Sequence, residues 1–145
     1  MSQNRKRGAL SLWWQRTMNA RTTTRIRRKG GQFWGMDMLV LHTVGRRTGQ
    51  ERETPLSWFA DGDDWLIVAS GGGSGYPDWY RNLEAHPDRT AVELHGQQPV
   101  AVTPTTLGGS EREQAWKQII TAQPRYQKYQ SKARREYPVV RLATH

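Results

Sequence analysis

What most constrains this chain is the brevity of its strand-like runs. Residues 38–44, 52–60, 65–69, 90–94, 98–105 and 139–142 form short β-type stretches separated by Gly, Pro and Asp breaks. Runs of this length suit strands and are too short for the helices of a bundle. Turn signals such as Asp61-Gly62-Asp63-Asp64 and His95-Gly96 favour antiparallel hairpins. Pro55 marks the second run as an edge strand or a bulge, because proline cannot donate to a ladder on both sides.

Three helices are predicted between the strands. Asp78 is expected to cap one over residues 79–85, with Trp79, Asn82 and Leu83 pointing inward and Pro87 ending it. Ser110 and Glu113 have capping-box spacing ahead of an apolar stripe of Trp116, Ile119 and Ile120. Residues 125–135 read as a third helix, with Tyr126 and Tyr129 on one face. The order predicts a mainly β fold, a small barrel with flanking helices. A length of 145 residues is enough for one domain.

Charge divides the chain. The formal net charge is +9, and nine of the 22 basic side chains lie in residues 1–36, which contain no acid. From Asp37 onward, acids and bases balance. We therefore expect two regions, a basic N-terminal arm (1–34) and a barrel (35–145). Leu10, Leu12, Trp13, Trp14 and Met18 can form a short amphipathic helix in the arm, with Gly30-Gly31 as a hinge. The arm reads either as a solvated leader or as a segment that seeks an anionic membrane surface. Nucleic acid is the weaker alternative, because no reading motif is present and the body is neutral.

Several chemistries are disfavoured. With no Cys, the chain has no disulfide, thiolate ligand or Cys nucleophile, which fits a reducing cytoplasm. No apolar core follows the basic start, so a secretory leader is not expected, and no apolar run is long enough for a membrane span. His42, His86, His95 and His145 lack metal-site spacing, so no metal is expected. Ser70 has no Gly-x-Ser-x-Gly context.

Two loops carry the binding signal. The turn over residues 43–50 combines Gly45 and Gly49 with the guanidiniums of Arg46 and Arg47, and Thr48, Gln50, Arg52 and Thr54 add donors. It reads as an anion cradle, not a Walker motif. The loop Ser70-Gly71-Gly72-Gly73-Ser74-Gly75 follows a strand and precedes a helix, so its backbone can approach a planar ligand. It lacks the Gly-x-Gly-x-x-Gly pattern of a nicotinamide fold.

These blocks, in this order, are joined by Val68-Ala69-Ser70, by Pro77-x-Trp79-Tyr80-x-Asn82-Leu83-x-Ala85-x-Pro87, by Tyr126-x-x-Tyr129-Gln130 and by Pro138-Val139-Val140. Together the series resembles the deazaflavin (F420)-dependent nitroreductase family, with its F420H2-dependent quinone reductases, over residues 36–143. The resemblance implies a split β-barrel of the FMN-binding type and reduced coenzyme F420 as hydride donor. It implies a quinone-like or nitroaromatic acceptor. FMN, or a carrier role without turnover, is the alternative.

Position by position, it implies that Arg46, Arg47, Thr48, Gly49, Gln50 and Arg52 hold the phosphate and acidic tail. Pro55, Ala69, Ser70, Gly71, Gly72 and Gly73 would line the deazaflavin, Pro77, Trp79 and Asn82 would close the groove, and Leu41, His42 and Thr43 would also contact the cofactor. Ser70, Tyr126 and Tyr129 would serve the reaction itself. The expected location is cytoplasmic, with peripheral attachment at the inner membrane face through the arm. The chain departs from the family pattern at Gly71, where a lysine usually follows the loop serine, and at Ser57 and Gln123, where larger aromatics occur. The last two imply a wider pocket.

Overall fold

The computed structural model describes Thr23 and residues 32–33, 36–71 and 75–144. The proposed arm helix and the Gly30-Gly31 hinge lie outside the described residues. Strands β1 (Gln32–Phe33), β2 (Met36–Val44), β3 (Glu51–Ser57), β4 (Phe59–Asp61) and β5 (Asp64–Val68) come first. Helix α1 (Asp78–Ala85) and a 3-10 turn at Pro87–Arg89 follow. Then come β6 (Ala91–Glu93), β7 (Val100–Thr106), α2 (Gly109–Ala122), α3 (Arg125–Lys132) and β8 (Val139–Thr144).

The strands form one antiparallel sheet in the order β1-β2-β6-β7-β8-β5-β4, with β3 also paired to β2. It curls into a half-barrel with few helices, as the short hairpin-linked runs predict. Residues 32–33, counted with the arm on charge alone, pair with Met36 and Asp37.

The curl explains why β5 reads as an unbroken apolar run. Ile67 and Ala69 face a cluster with Leu39, Leu41, Trp79, Leu83, Val92 and Leu142. Leu66 and Val68 face a second cluster with Phe59, Ile119, Tyr126, Tyr137 and Val139 under α2 and α3. A strand covered on both faces has no polar side, so alternation vanishes. Each fully buried Leu or Ile in these clusters contributes about 1.5–3 kcal/mol. Arg141 ties the barrel wall together, donating from Nε to Asp61 at 2.9 Å and from Nη1 to Glu111 at 3.0 Å.

Four local expectations are corrected. The run over residues 52–60 is two strands: at Trp58 the backbone N–H turns to the Asp37 carbonyl (3.0 Å), and Phe59–Asp61 then pairs with β5. Pro77, not Asp78, is the N-cap of α1. Its carbonyl accepts from Tyr80 N–H at 3.1 Å, and Asp78 sits inside the helix, facing Arg46. Helix α2 starts at Gly109 behind Gly108, so Ser110 lies within the first turn and makes no cap. Helix α3 ends at Lys132, where Ala133 N–H closes onto the Gln130 carbonyl. Arg135 therefore belongs to the link that returns to β8.

Candidate functional site

The β2–β3 turn is closed by its own backbone. Gly45 N–H donates to the Gln50 carbonyl and Gly49 N–H to the Gly45 carbonyl, both at 2.8 Å. Gly49 sits at φ +70°, where a side chain is disfavoured. Thr48 Oγ1 accepts the Gln50 N–H at 3.2 Å. A Cβ at Gly45 would approach that hydroxyl to 2.7 Å, so the turn closes this tightly only with glycine there.

The two arginines of the turn have different surroundings. Arg46 is docked on α1: its backbone N–H and its Nη1 both donate to Asn82 Oδ1, at 3.1 and 3.2 Å. A longer contact joins it to Asp78 at 3.4 Å. Asn82 is buried, so its carboxamide holds the turn from below. Arg47, Thr48, Gly49 and Gln50 are exposed, and Arg52 is half-buried on β3. Thr43, opposite Arg52, has a buried hydroxyl that makes no hydrogen bond among the described residues.

Three of the residues expected at the cofactor have the following surroundings. Leu41 is fully buried in the core and offers no side-chain surface to a ligand. His42 faces the sheet's own carboxylates, with Nε2 2.9 Å from Glu93 and Nδ1 3.9 Å from Glu53. Trp79 is buried edge-to-face against Tyr80, so it supports α1 from within. Pro55 and Pro77 are half-buried, and Ala69 is fully buried with its N–H on the Pro138 carbonyl at 2.9 Å. Gly72 and Gly73 lie outside the described residues.

The tyrosine wall stands next to β3. Tyr126 is buried and its phenol lies 2.9 Å from Ser57 Oγ. It packs edge-to-face on Phe59 and on Tyr129. Tyr129 is 50% exposed and forms the outer lip. Directly opposed residues of β2 and β3 share a face, which sorts the site. Thr43 with Arg52 and Leu41 with Thr54 lie on the core side, while Val40 with Pro55 and Met38 with Ser57 lie on the side of Tyr126.

Sequence reasoning missed Arg135. Its Nη1 donates to the Ala69 carbonyl at 3.2 Å, and its Nη2 to the carbonyls of Ser70 at 3.0 Å and Gly75 at 2.8 Å. The guanidinium stacks 4.6 Å from the Tyr76 ring. The local signal was Pro138, which limits how far α3 can run, but the three carbonyls it reaches lie 60 to 66 residues away in sequence. Turn, α1, glycine-rich loop, Arg135 and the tyrosines thus form a connected arc. Among the described residues no cluster of three His, Cys, Asp or Glu side chains is arranged to hold a metal ion, and no helix is long and apolar enough to cross a membrane.

The fold is that of a split-barrel oxidoreductase. A family model described as F420H(2)-dependent quinone reductase matches residues 14–144, and the chain belongs to that family. It is 43% identical over 110 residues to an F420H(2)-dependent quinone reductase of Mycobacterium tuberculosis, covering 72% of this chain and 71% of the relative. A solved F420-H2 dependent reductase superposes with a TM-score of 0.64 at 34% identity, covering 72% of this chain and 92% of that one. The heme storage protein HutZ of Vibrio cholerae shares the fold alone, with a TM-score of 0.59 at 13% identity over 84% of this chain and 87% of its own. The protein is an F420H2-dependent oxidoreductase, and these matches lend no support to FMN.

Proposed function

We propose that this chain carries electrons from reduced coenzyme F420 to a quinone-like acceptor at the arc described above. The observation that carries the reading is the docking of the turn on α1 through Arg46 and Asn82, which leaves Arg47 pointing outward. The residues fit the coenzyme's phosphorylated, acidic tail. Arg47 and Arg52 offer forked donors, and Thr43 has a buried hydroxyl with no partner among the described residues. Thr48, Gly49 and Gln50 shape the cradle. Arg46, held by Asn82, fixes its position rather than gripping the tail alone.

When bound, the reduced deazaflavin supplies two electrons as a hydride. The chain's own task is to hold donor and acceptor in register and to stabilise charge on the acceptor oxygen. Pro55, Ala69, Ser70 and Gly71 are the described residues that would border the ring, with Pro77 at the groove's edge. The Ser70 hydroxyl and the half-exposed Tyr129 phenol are the donors we assign to the acceptor oxygen. Tyr126, bonded to Ser57, serves as a wall. A serine at position 57 leaves room beside that wall, which suits a broad planar acceptor such as a quinone.

The same reading sets the basic arm, expected over residues 1–34, apart from the barrel, with its last part, Gln32–Phe33, already joined to the sheet. We infer that its nine-cation excess draws the enzyme to an anionic membrane face on the cytoplasmic side, where lipid-soluble quinones partition. Equal flotation of the full chain and of a form lacking residues 1–34 with anionic vesicles refutes this attachment.

Titration of the full chain with F420H2, followed by a menaquinone analogue, tests the main reading, with NADPH and reduced FMN as controls. Saturable binding and coenzyme oxidation are expected. No binding at high micromolar concentration overturns the reading, and binding without oxidation points to a carrier.

A further inference from the structure

The link between α3 and β8 is bound on both sides. Gln130 on α3 donates from Nε2 to the Arg135 carbonyl and accepts the Tyr137 N–H at Oε1, both at 2.8 Å. Tyr137 returns a bond from its hydroxyl to the Tyr129 carbonyl at 3.1 Å. The backbone that carries Arg135 is thus rooted in the helix that carries Tyr126 and Tyr129. From that root the guanidinium reaches the carbonyls of Ala69, Ser70 and Gly75, which lie at both ends of the glycine-rich loop. Stacking on Tyr76 at 4.6 Å and Tyr137 at 5.5 Å sets its plane.

Gly71 completes the arrangement from the other side. It sits at φ +69°, and a Cβ built there would lie 3.3 Å from Arg135 Nη2 and 3.1 Å from both the Gly75 carbonyl and Pro77 Cδ. A side chain at 71 and the guanidinium compete for one space. Three carbonyls aimed at one cation make charge-assisted contacts, stronger than neutral ones. A lysine ammonium lacks the planar fork needed to serve them all while stacking on two rings.

We propose that Arg135 is a positioning residue of the reductase site: it ties the mouth of the glycine-rich loop to the tyrosine helix, so that Ser70 and Tyr129 are held at a fixed separation. This rests on the reading of the site given above. The tie makes the coenzyme side and the acceptor side one mechanical unit. Loosening it changes the affinity for both.

The test uses the full chain and Arg135→Lys. One measurement is amide hydrogen exchange at residues 69–71 and 75–76 without coenzyme. The other is steady-state kinetics with F420H2 and a menaquinone analogue, split into kcat and the KM of each. Faster exchange confined to the loop, an unchanged melting temperature and a fall in kcat/KM of about tenfold or more for both substrates are expected, the loss of one charge-assisted bond.

Unchanged loop exchange, or faster exchange with both kcat/KM values intact, overturns the proposal. So does a lowered melting temperature with kinetics unchanged, which marks a purely structural tie. If Arg135→Lys fails to fold, Gln130→Ala cuts the root of the link and must give the same pair of effects; their absence counts against the proposal equally. A wild-type chain that does not turn over F420H2 overturns the parent reading, whereas an active wild type matched by Arg135→Lys overturns this inference alone.

Discussion

Ser57 Oγ and Tyr126 Oη lie 2.9 Å apart, joining the edge strand β3 to helix α3 across 69 residues of sequence. The pair closes the seam between the face that carries Pro55 and the aromatic wall. Replacing either partner removes a hydrogen bond of about 0.5–1.5 kcal/mol net. Ser57→Ala and Tyr126→Phe should each lower stability by roughly that amount, and the double variant should cost less than the sum. Thermal or urea melts of the four proteins measure it. Strict additivity would show that the two side chains are not coupled.

Arg46 and Arg47 should separate on mutation although they are neighbours. Arg47 is exposed, so Arg47→Ala should leave the melting temperature unchanged and weaken F420H2 binding by about tenfold to a hundredfold, the loss of a charge-assisted contact. Arg46→Ala removes the Nη1 bond to Asn82 and should lower both stability and affinity. A coenzyme titration beside a melt distinguishes them, and equal behaviour of the two variants would contradict the assignment.

Asn82→Ala should be worse for stability than Arg46→Ala. It strips the acceptor from the Arg46 backbone N–H as well as from its side chain, and it empties a buried position. A cost of about 1–3 kcal/mol is expected, mainly from the N–H left without its partner. A denaturant midpoint close to that of the parent would argue that water replaces the carboxamide without loss.

Gly49→Ala tests the turn itself. No atom lies within 4 Å of a Cβ there, so the cost is purely that of φ +70° for a residue with a side chain, about 1–2 kcal/mol. A melt gives the value. The cradle should widen, and coenzyme affinity should fall with it.

Tyr80, on α1, supplies a pH dependence. Burial, the largest influence, raises its phenol above the ordinary value of 10.0, outweighing the lowering by its bond to Thr106 at 3.1 Å. The unfolded chain therefore releases this proton first as pH rises. The contribution of Tyr80 to stability is intact below pH 10.0 and declines as pH climbs through the higher folded value. Tyr80→Phe should flatten the alkaline fall in melting temperature while losing the Thr106 bond at neutral pH. An unchanged alkaline slope would place the titration elsewhere.

Much of the architecture was legible because it is local. Hairpin turns need Gly and Asp, strands need short β-type runs, and Pro55 belongs to a strand paired on one side only, as β3 is. The ordered blocks from Thr43 to Val140 likewise carried the family resemblance. What misled was also local. Asp78 and Ser110 have the right chemistry for caps, but Pro77 and Gly108 took those positions, and Asp78 was drawn toward Arg46. Helix propensity through residues 133–135 gave way to the link that α3 and β8 require.

Sequence by itself determined the strands, the turns and the set of residues available for an anion and a planar ring. Tertiary structure decided which of them are already engaged: Arg46 by Asn82, His42 by Glu93, Tyr126 by Ser57, and Arg135 by the loop carbonyls. The reason is geometric. Backbone conformation follows from sterics within a few residues, whereas a side chain's partner depends on which distant elements the curled sheet sets side by side. No local pattern encodes that juxtaposition.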